Sequence, residues 1–183
     1  NLLKKGSQCM IHENIKENYL KNIEYISKQK GVKVLSNTDI GLKGNYISSQ
    51  INSVLAKDFL VNSEIHQEVF GPFSLIVKCE DENELKKVID SLDGQLTGSL
   101  FAEEDELKEF YSIIDKLKSK VGRIIFNGVP TGVEVSQAMT HGGPYPASSD
   151  SRYTSVGLDS IKRWVRPITY QDWPIDFLPS DLQ

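Results

Sequence analysis

Ile11, Ile15, Tyr19, Ile23 and Ile26 recur at spacings of 4, 4, 4 and 3, which places them on one stripe of an α-helix. The spacing predicts a helix over 10–29, closed by Lys28, Lys30 and Gly31. Val32 to Leu35 reads as a short strand and Asn37 to Asn45 as a polar, glycine-bearing loop. Tyr46 to Leu55 reads as extended and Asp58 to Asn62 as one helical turn. Phe73 to Cys79 is a mostly apolar strand. Asp81, Glu82 and Glu84 then open a helix that runs to Leu92, with carboxylates at its positive end. Gly98 to Ala102 is a strand, Leu107, Phe110, Ile113, Ile114 and Leu117 mark a helix over 103–119, and Gly122 to Asn127 is a further strand. Strands alternating with helices predict an α/β fold, helices layered on both faces of a largely parallel sheet.

Beyond Asn127 the pattern changes. Gly128 to Gly157 is rich in Gly, Pro, Ser and Thr, and a loop of that length in a compact domain is usually functional or disordered. Val156 to Trp164 looks helical. Trp164 to Gln171 alternates and is β-prone, with Pro167 restricting it to a sheet edge. Pro174 and Pro179 make the tail over 172–183 irregular.

Composition narrows the classes without naming one. The chain has 183 residues, 39% apolar and 25% charged, enough for one soluble domain with a sizeable core. The formal net charge of −4 argues against nucleic acid and anionic membranes as partners. No apolar run approaches membrane-spanning length, and the first residues lack the apolar segment of a secretory leader. Two cysteines, Cys9 and Cys79, make no disulfide framework, so a reducing cytoplasm is expected. His12, His66 and His141 have no metal-ligand spacing, and no metal is expected.

Chemistry concentrates in Gln67-Glu68-Val69-Phe70-Gly71-Pro72. A carboxylate accepts two sugar hydroxyls, and an aromatic ring packs on a flat heterocycle. An ordinary turn carrying a solvated Glu fits the same residues. The hexapeptide resembles the E-x-F-G-P element of the aldehyde dehydrogenase superfamily. Several further segments resemble that family in the right order. Gly122-Arg123-Ile124-Ile125-Phe126-Asn127-Gly128 is similar to its strand before the substrate-side loop. His141-Gly142-Gly143-Pro144-Tyr145-Pro146-Ala147-Ser148-Ser149 is similar to its later F-G-G-x-K-x-S-G segment, with His141 for the Phe and Pro146 near the Lys. Phe126 to Val135, His141 to Arg152, Ser151 to Gly157 and Arg166 to Gln171 resemble one branch of the family, the 2,5-dioxovalerate (alpha-ketoglutarate semialdehyde) dehydrogenases.

The resemblance implies oxidation of a small aldehyde to an acid through a cysteine thioester, with NADP or NAD as cofactor. It implies that Glu68 holds the nicotinamide ribose and Phe70 packs beside it. It implies that Pro130, Thr131, Gly132 and Val133 line the aldehyde tunnel. Arg152 either meets a distal carboxylate of the substrate or makes a structural ion pair. Val165 to Gln171 matches a late strand that extends another subunit's sheet and so implies a homo-oligomer.

Most of that machinery is missing from these residues. No G-x-x-x-x-G or G-x-G-x-x-G loop opens a βαβ unit, so a pyrophosphate cradle is absent. Cys9, in Gly6-Ser7-Gln8-Cys9, departs from the family's G-Q-x-C and leads straight into the first helix. The expectation is a C-terminal part of a catalytic domain over 1–163, an assembly strand over 164–174 and a tail over 175–183. The nucleophile and the Rossmann domain would lie upstream of Asn1, and the chain alone would be inactive. A stand-alone assembly or partner-binding module is the alternative.

Overall fold

A computed structural model describes residues 7–37 and 43–183; part of the expected 37–45 loop lies outside them. The first helix, α1 (Glu13–Ser27), starts later than the spacing predicts, because His12 caps it: its Nδ1 accepts the Asn14 N–H at 3.1 Å. Ile11 therefore falls outside the helix and is exposed, while Tyr19 and Ile26 are buried.

Among the described residues the strands form three small sheets, not one. Sheet one pairs β1 (Gln8–Cys9) with β3 (Tyr46–Ile47) antiparallel. Sheet two orders β2 (Lys33–Asn37), β4 (Gln50–Leu55) and β5 (Phe73–Lys78) side by side. Here β2 is antiparallel to β4, and β4 is parallel to β5 with Gln50 opposite Phe73 and Leu55 opposite Lys78. The third sheet pairs β6 (Gln95–Leu100) with β7 (Val121–Phe126), parallel, with Gln95 opposite Val121. Parallel β4/β5 and β6/β7 pairs, each joined through a helix-containing connection, confirm the α/β class.

Two compact units divide the chain. The first holds residues up to Leu92 together with Glu104–Lys120; the second holds Asp93–Glu103 and Val121–Gln183. In the first, Tyr19 and Ile26 of α1 join Ile47, Val54, Ile65 and Val69 in one core with Ala56 and Phe59 of α2 (Ala56–Phe59) and Val88 of α3 (Glu82–Ser91). Strand β4 also buries polar residues. Gln50 Nε2 donates to Ser27 Oγ at 2.8 Å and to Asn52 Oδ1 at 2.9 Å, and Ser27 Oγ donates to Ile23 O at 2.6 Å. Each partner is thus satisfied where water is excluded.

Helix α3 begins where its acidic run predicts: Asp81 Oδ1 accepts the Glu84 N–H, and Glu84 Oε2 accepts the Glu80 N–H, both at 2.7 Å. The predicted helix over 103–119 is broken. Glu104–Lys108 is a 3₁₀ segment with no buried residue, and only α4 (Tyr111–Lys118), which buries Ile113, is α-helical. Helical stability inside proteins comes mostly from packing, and the first turns here bury no residue fully. Leu158–Arg163 is likewise 3₁₀. The β-prone stretch 164–171 forms no ladder within this chain and is exposed throughout, and among the described residues no edge pairs with it.

Candidate functional site

The Glu68 loop is mounted at three points. Before it, the His66 ring stacks on Phe59 with centroids 4.0 Å apart, and His66 Nε2 lies 2.9 Å from Phe59 O. In its middle, Val69 is 7% exposed and belongs to the core. After it, Tyr19 Oη donates to Ser48 O at 2.9 Å with Pro72 O at 3.3 Å, and the Gln50 N–H donates to Pro72 O at 3.0 Å. Gly71 has φ +153°, and a Cβ built on it would enter the Tyr19 ring. Only glycine passes that point without strain.

With Val69 turned inward, its neighbours turn outward. Phe70 is 64% exposed, and Glu68 is exposed with no hydrogen bond or ion pair among the described residues. Both line a cavity of about 580 Å³ floored by Phe59, Leu75, Val77 and Val88. That volume falls in the range of ligand clefts, and the lining, apolar with a few polar groups, is of the usual kind. An unpaired carboxylate and a bare ring on one rim can hold vicinal hydroxyls and a flat heterocycle together.

The other candidates belong to the second unit. Asn127 ends β7 with φ +47°, a left-handed conformation that Asn tolerates better than most residues. Its amide reproduces a ladder pair with Ala102, accepting the Ala102 N–H at 3.0 Å and donating to Ala102 O at 2.8 Å. Pro130, Thr131, Gly132 and Val133 follow as an exposed loop. Arg123 Nη1 donates to Gly132 O at 3.0 Å and approaches Met139 Sδ at 3.3 Å, while its Nε is buried without a partner among the described residues. The Gly142-Gly143 pair has a packing reason, since a Cβ on Gly143 would come within 2.5 Å of Gln95 O.

Arg152 lines a polar pocket of about 130 Å³ that the Pro130–Val133 loop does not reach. Its Nε donates to Asp150 Oδ1 at 2.9 Å and its Nη2 to Oδ2 at 2.6 Å. The guanidinium hydrogen bond holds the Asp150 carboxyl at about 2, below its usual value. Of the two readings of Arg152, the ion pair is the one present.

Neither cysteine is placed as a nucleophile. Cys9 is exposed on β1, with Sγ 3.6 Å from Met10 O. Burial, with help from Glu84 and Asp81, pushes the Cys79 thiol up, away from thiolate chemistry. Among the described residues no group of three or more His, Cys, Asp or Glu could hold a metal, and no helix is long and apolar enough to cross a membrane.

Four residues that shape these sites are not marked as site residues by the sequence pattern: Tyr19, His66, Arg123 and Asn127. Tyr19 alone left a signal, a hydroxyl on an otherwise aliphatic helical stripe.

The aldehyde dehydrogenase family model matches residues 5–161. "Alpha-ketoglutaric semialdehyde dehydrogenase 2" of Azospirillum brasilense is 38% identical over 182 residues, covering 100% of this chain and 35% of that protein. The chain spans about a third of the length of the curated relatives it matches. Among solved structures, 1-pyrroline-5-carboxylate dehydrogenase from Thermus with bound NAD aligns over 84% of this chain and 28% of its own, with TM-score 0.64 at 22% identity. Succinic semialdehyde dehydrogenase from Streptococcus pyogenes, in complex with NADP+, covers 74% of this chain and 28% of its own, with TM-score 0.59 and 22% identity. At such identities the structures establish the fold, and the family match over most of the chain establishes more: this chain belongs to the aldehyde dehydrogenase family.

Proposed function

We propose that the chain is the C-terminal part of the catalytic domain of an NAD(P)-dependent aldehyde dehydrogenase that oxidises a small semialdehyde, 2,5-dioxovalerate being the favoured one. The observation that carries this reading is the Glu68–Phe70 pair, an unpartnered carboxylate and an exposed ring side by side on a ligand-sized cavity. The residues fit the group: Glu68 accepts two ribose hydroxyls, and Phe70 gives the nicotinamide a face to rest on. The bound cofactor supplies the hydride acceptor. Similarity to alpha-ketoglutaric semialdehyde dehydrogenases along the whole chain supports the substrate class.

In this reading Pro130, Thr131, Gly132 and Val133 border the aldehyde's approach, and Asn127 and Arg123 fix where that loop leaves and returns. Arg152, engaged by Asp150, braces its own loop and does not touch substrate. The thiolate that attacks the aldehyde comes from residues outside this chain, because Cys9 and Cys79 lack the setting for it. Val165–Gln171 adds as a strand to a second subunit, which gives its exposed backbone the partners it lacks here. A reducing cytoplasm suits the two free cysteines and a thiolate enzyme.

The test is a calorimetric titration of NADP+ and NAD+ into the 183-residue chain, beside an aldehyde turnover assay. The expected results are no micromolar binding and no turnover. Micromolar affinity or measurable oxidation by the chain alone would contradict the reading.

A further inference from the structure

We propose that Tyr19 is a positioning residue for the cofactor contact: it acts through the Gly71-Pro72 closure to fix where Glu68 and Phe70 stand. This rests on the reading of Glu68 as a ribose ligand. Tyr19 lies on α1, distant in sequence from the loop, and is 1% exposed. Its ring fills the space a Cβ on Gly71 would need, so the loop backbone is seated directly on the aromatic face. Its hydroxyl lies between two carbonyls, Ser48 O at 2.9 Å and Pro72 O at 3.3 Å. Ser48 leads into β4, and Pro72 leads into β5. One phenol therefore ties together the entry points of two paired strands and the end of the loop. The Gln50 N–H closes the same knot on Pro72 O at 3.0 Å.

A phenol suits this task better than an aliphatic residue would. The stripe it belongs to otherwise carries Ile15, Ile23 and Ile26; an aliphatic residue in its place would fill the core but take the phenol donor from Ser48 O and leave Pro72 O with the Gln50 N–H alone. A phenol is protonated throughout the neutral range, and burial pushes this one's pKa further up, to about 12. Glu68 has no partner of its own among the described residues, so its position comes from the backbone that carries it. That backbone is held by Val69, by the His66–Phe59 stack and, at the closing end, by Tyr19.

The experiment uses the complete dehydrogenase polypeptide as wild type, Tyr19→Phe, Glu68→Gln and the double variant. Cofactor Kd is read by calorimetry, and hydrogen exchange is followed at the Gln50 amide. Tyr19→Phe keeps the ring under Gly71 and removes only the hydroxyl. The expected result is a cofactor Kd raised ~3–10-fold, the worth of one hydrogen bond, with faster exchange at Gln50. The double variant should bind no more weakly than Glu68→Gln alone, because both changes remove the same contact. If Glu68→Gln weakens binding and Tyr19→Phe does not, the inference is overturned while the reading of Glu68 stands. If Glu68→Gln has no effect, that reading fails and takes the inference with it. Equal losses in both backgrounds would show Tyr19 acting elsewhere and would also overturn it. Should Tyr19→Phe fail to fold, Gly71→Ala approaches the same contact from the loop side. Weakened binding in a folded Gly71→Ala supports the inference, and unchanged binding, or failure of both variants to fold, overturns it.

Discussion

Strand β5 and the stretch 164–171 are both β-prone runs rich in apolar residues, and they end differently. In β5, Phe73–Lys78 alternates half-buried and exposed residues along a full ladder with β4. In 164–171 every residue is exposed, Trp164 at 81% and Ile168 at 63%, and no ladder forms. A strand is a property of a pair, since propensity alone satisfies no backbone hydrogen bond. The difference extends to the loops nearby. The Glu68 loop runs straight into β5, so its end is fixed by a paired strand, by Tyr19 and by Val69. The Pro130–Val133 loop leads into no strand and is tied back by Arg123. One candidate segment is mounted on a core, and the other is an exposed loop.

That contrast can be broken most sharply at Gly71. Replacing it with Ala sets a side chain against Tyr19 in a conformation that L-residues avoid, and should cost the chain ~3 kcal/mol or more of stability. Chemical denaturation measures it, and a neutral change would mean that the loop is not seated on Tyr19. The next effect is alkaline. The Tyr19 phenol ionises near 10 when unfolded and near 12 when folded. The unfolded chain therefore sheds its proton first, and stability is fully present below pH 10 and falls between 10 and 12. The loss should reach ~2–3 kcal/mol, and Tyr19→Phe should abolish it. Val69→Ala should cost ~2 kcal/mol by emptying a core position, read as a shifted denaturation midpoint at unchanged slope. Ile168→Ser should move the stability of the chain by less than ~0.5 kcal/mol. In the complete enzyme the same change should weaken subunit assembly, measured by sedimentation. A large loss of stability in the chain alone would show that 164–171 already packs against something.

The fold class was legible because the helical stripe of α1, the acidic start of α3 and the apolar runs of β5 and β7 each follow from local chemistry. The three separate sheets were not, because pairing is set by contacts between distant residues. The break at Glu104–Lys108 was not legible for a related reason: the spacing of Leu107 and Phe110 fits a helix, but both are only half-buried and no residue of that segment is fully buried. At the site, Glu68 and Phe70 were legible as a motif, while what holds them was not. Tyr19 looked like one more core residue on a helix, and its two carbonyl partners are far away in sequence. Asn127 and Arg123 act through side-chain hydrogen bonds to the backbone of Ala102 and Gly132, partners that no side-chain pattern displays.

In the proposed function Glu68, which has no partner among the described residues, takes the cofactor ribose. Titrating NADP+ and NAD+ into the complete enzyme, as wild type and as Glu68→Gln, tests it most directly. The predicted result is cofactor affinity weakened ~10-fold or more, as expected for losing hydrogen bonds to a charged acceptor, with the melting temperature of the apo enzyme unchanged. Equal affinity in the two proteins would contradict the account.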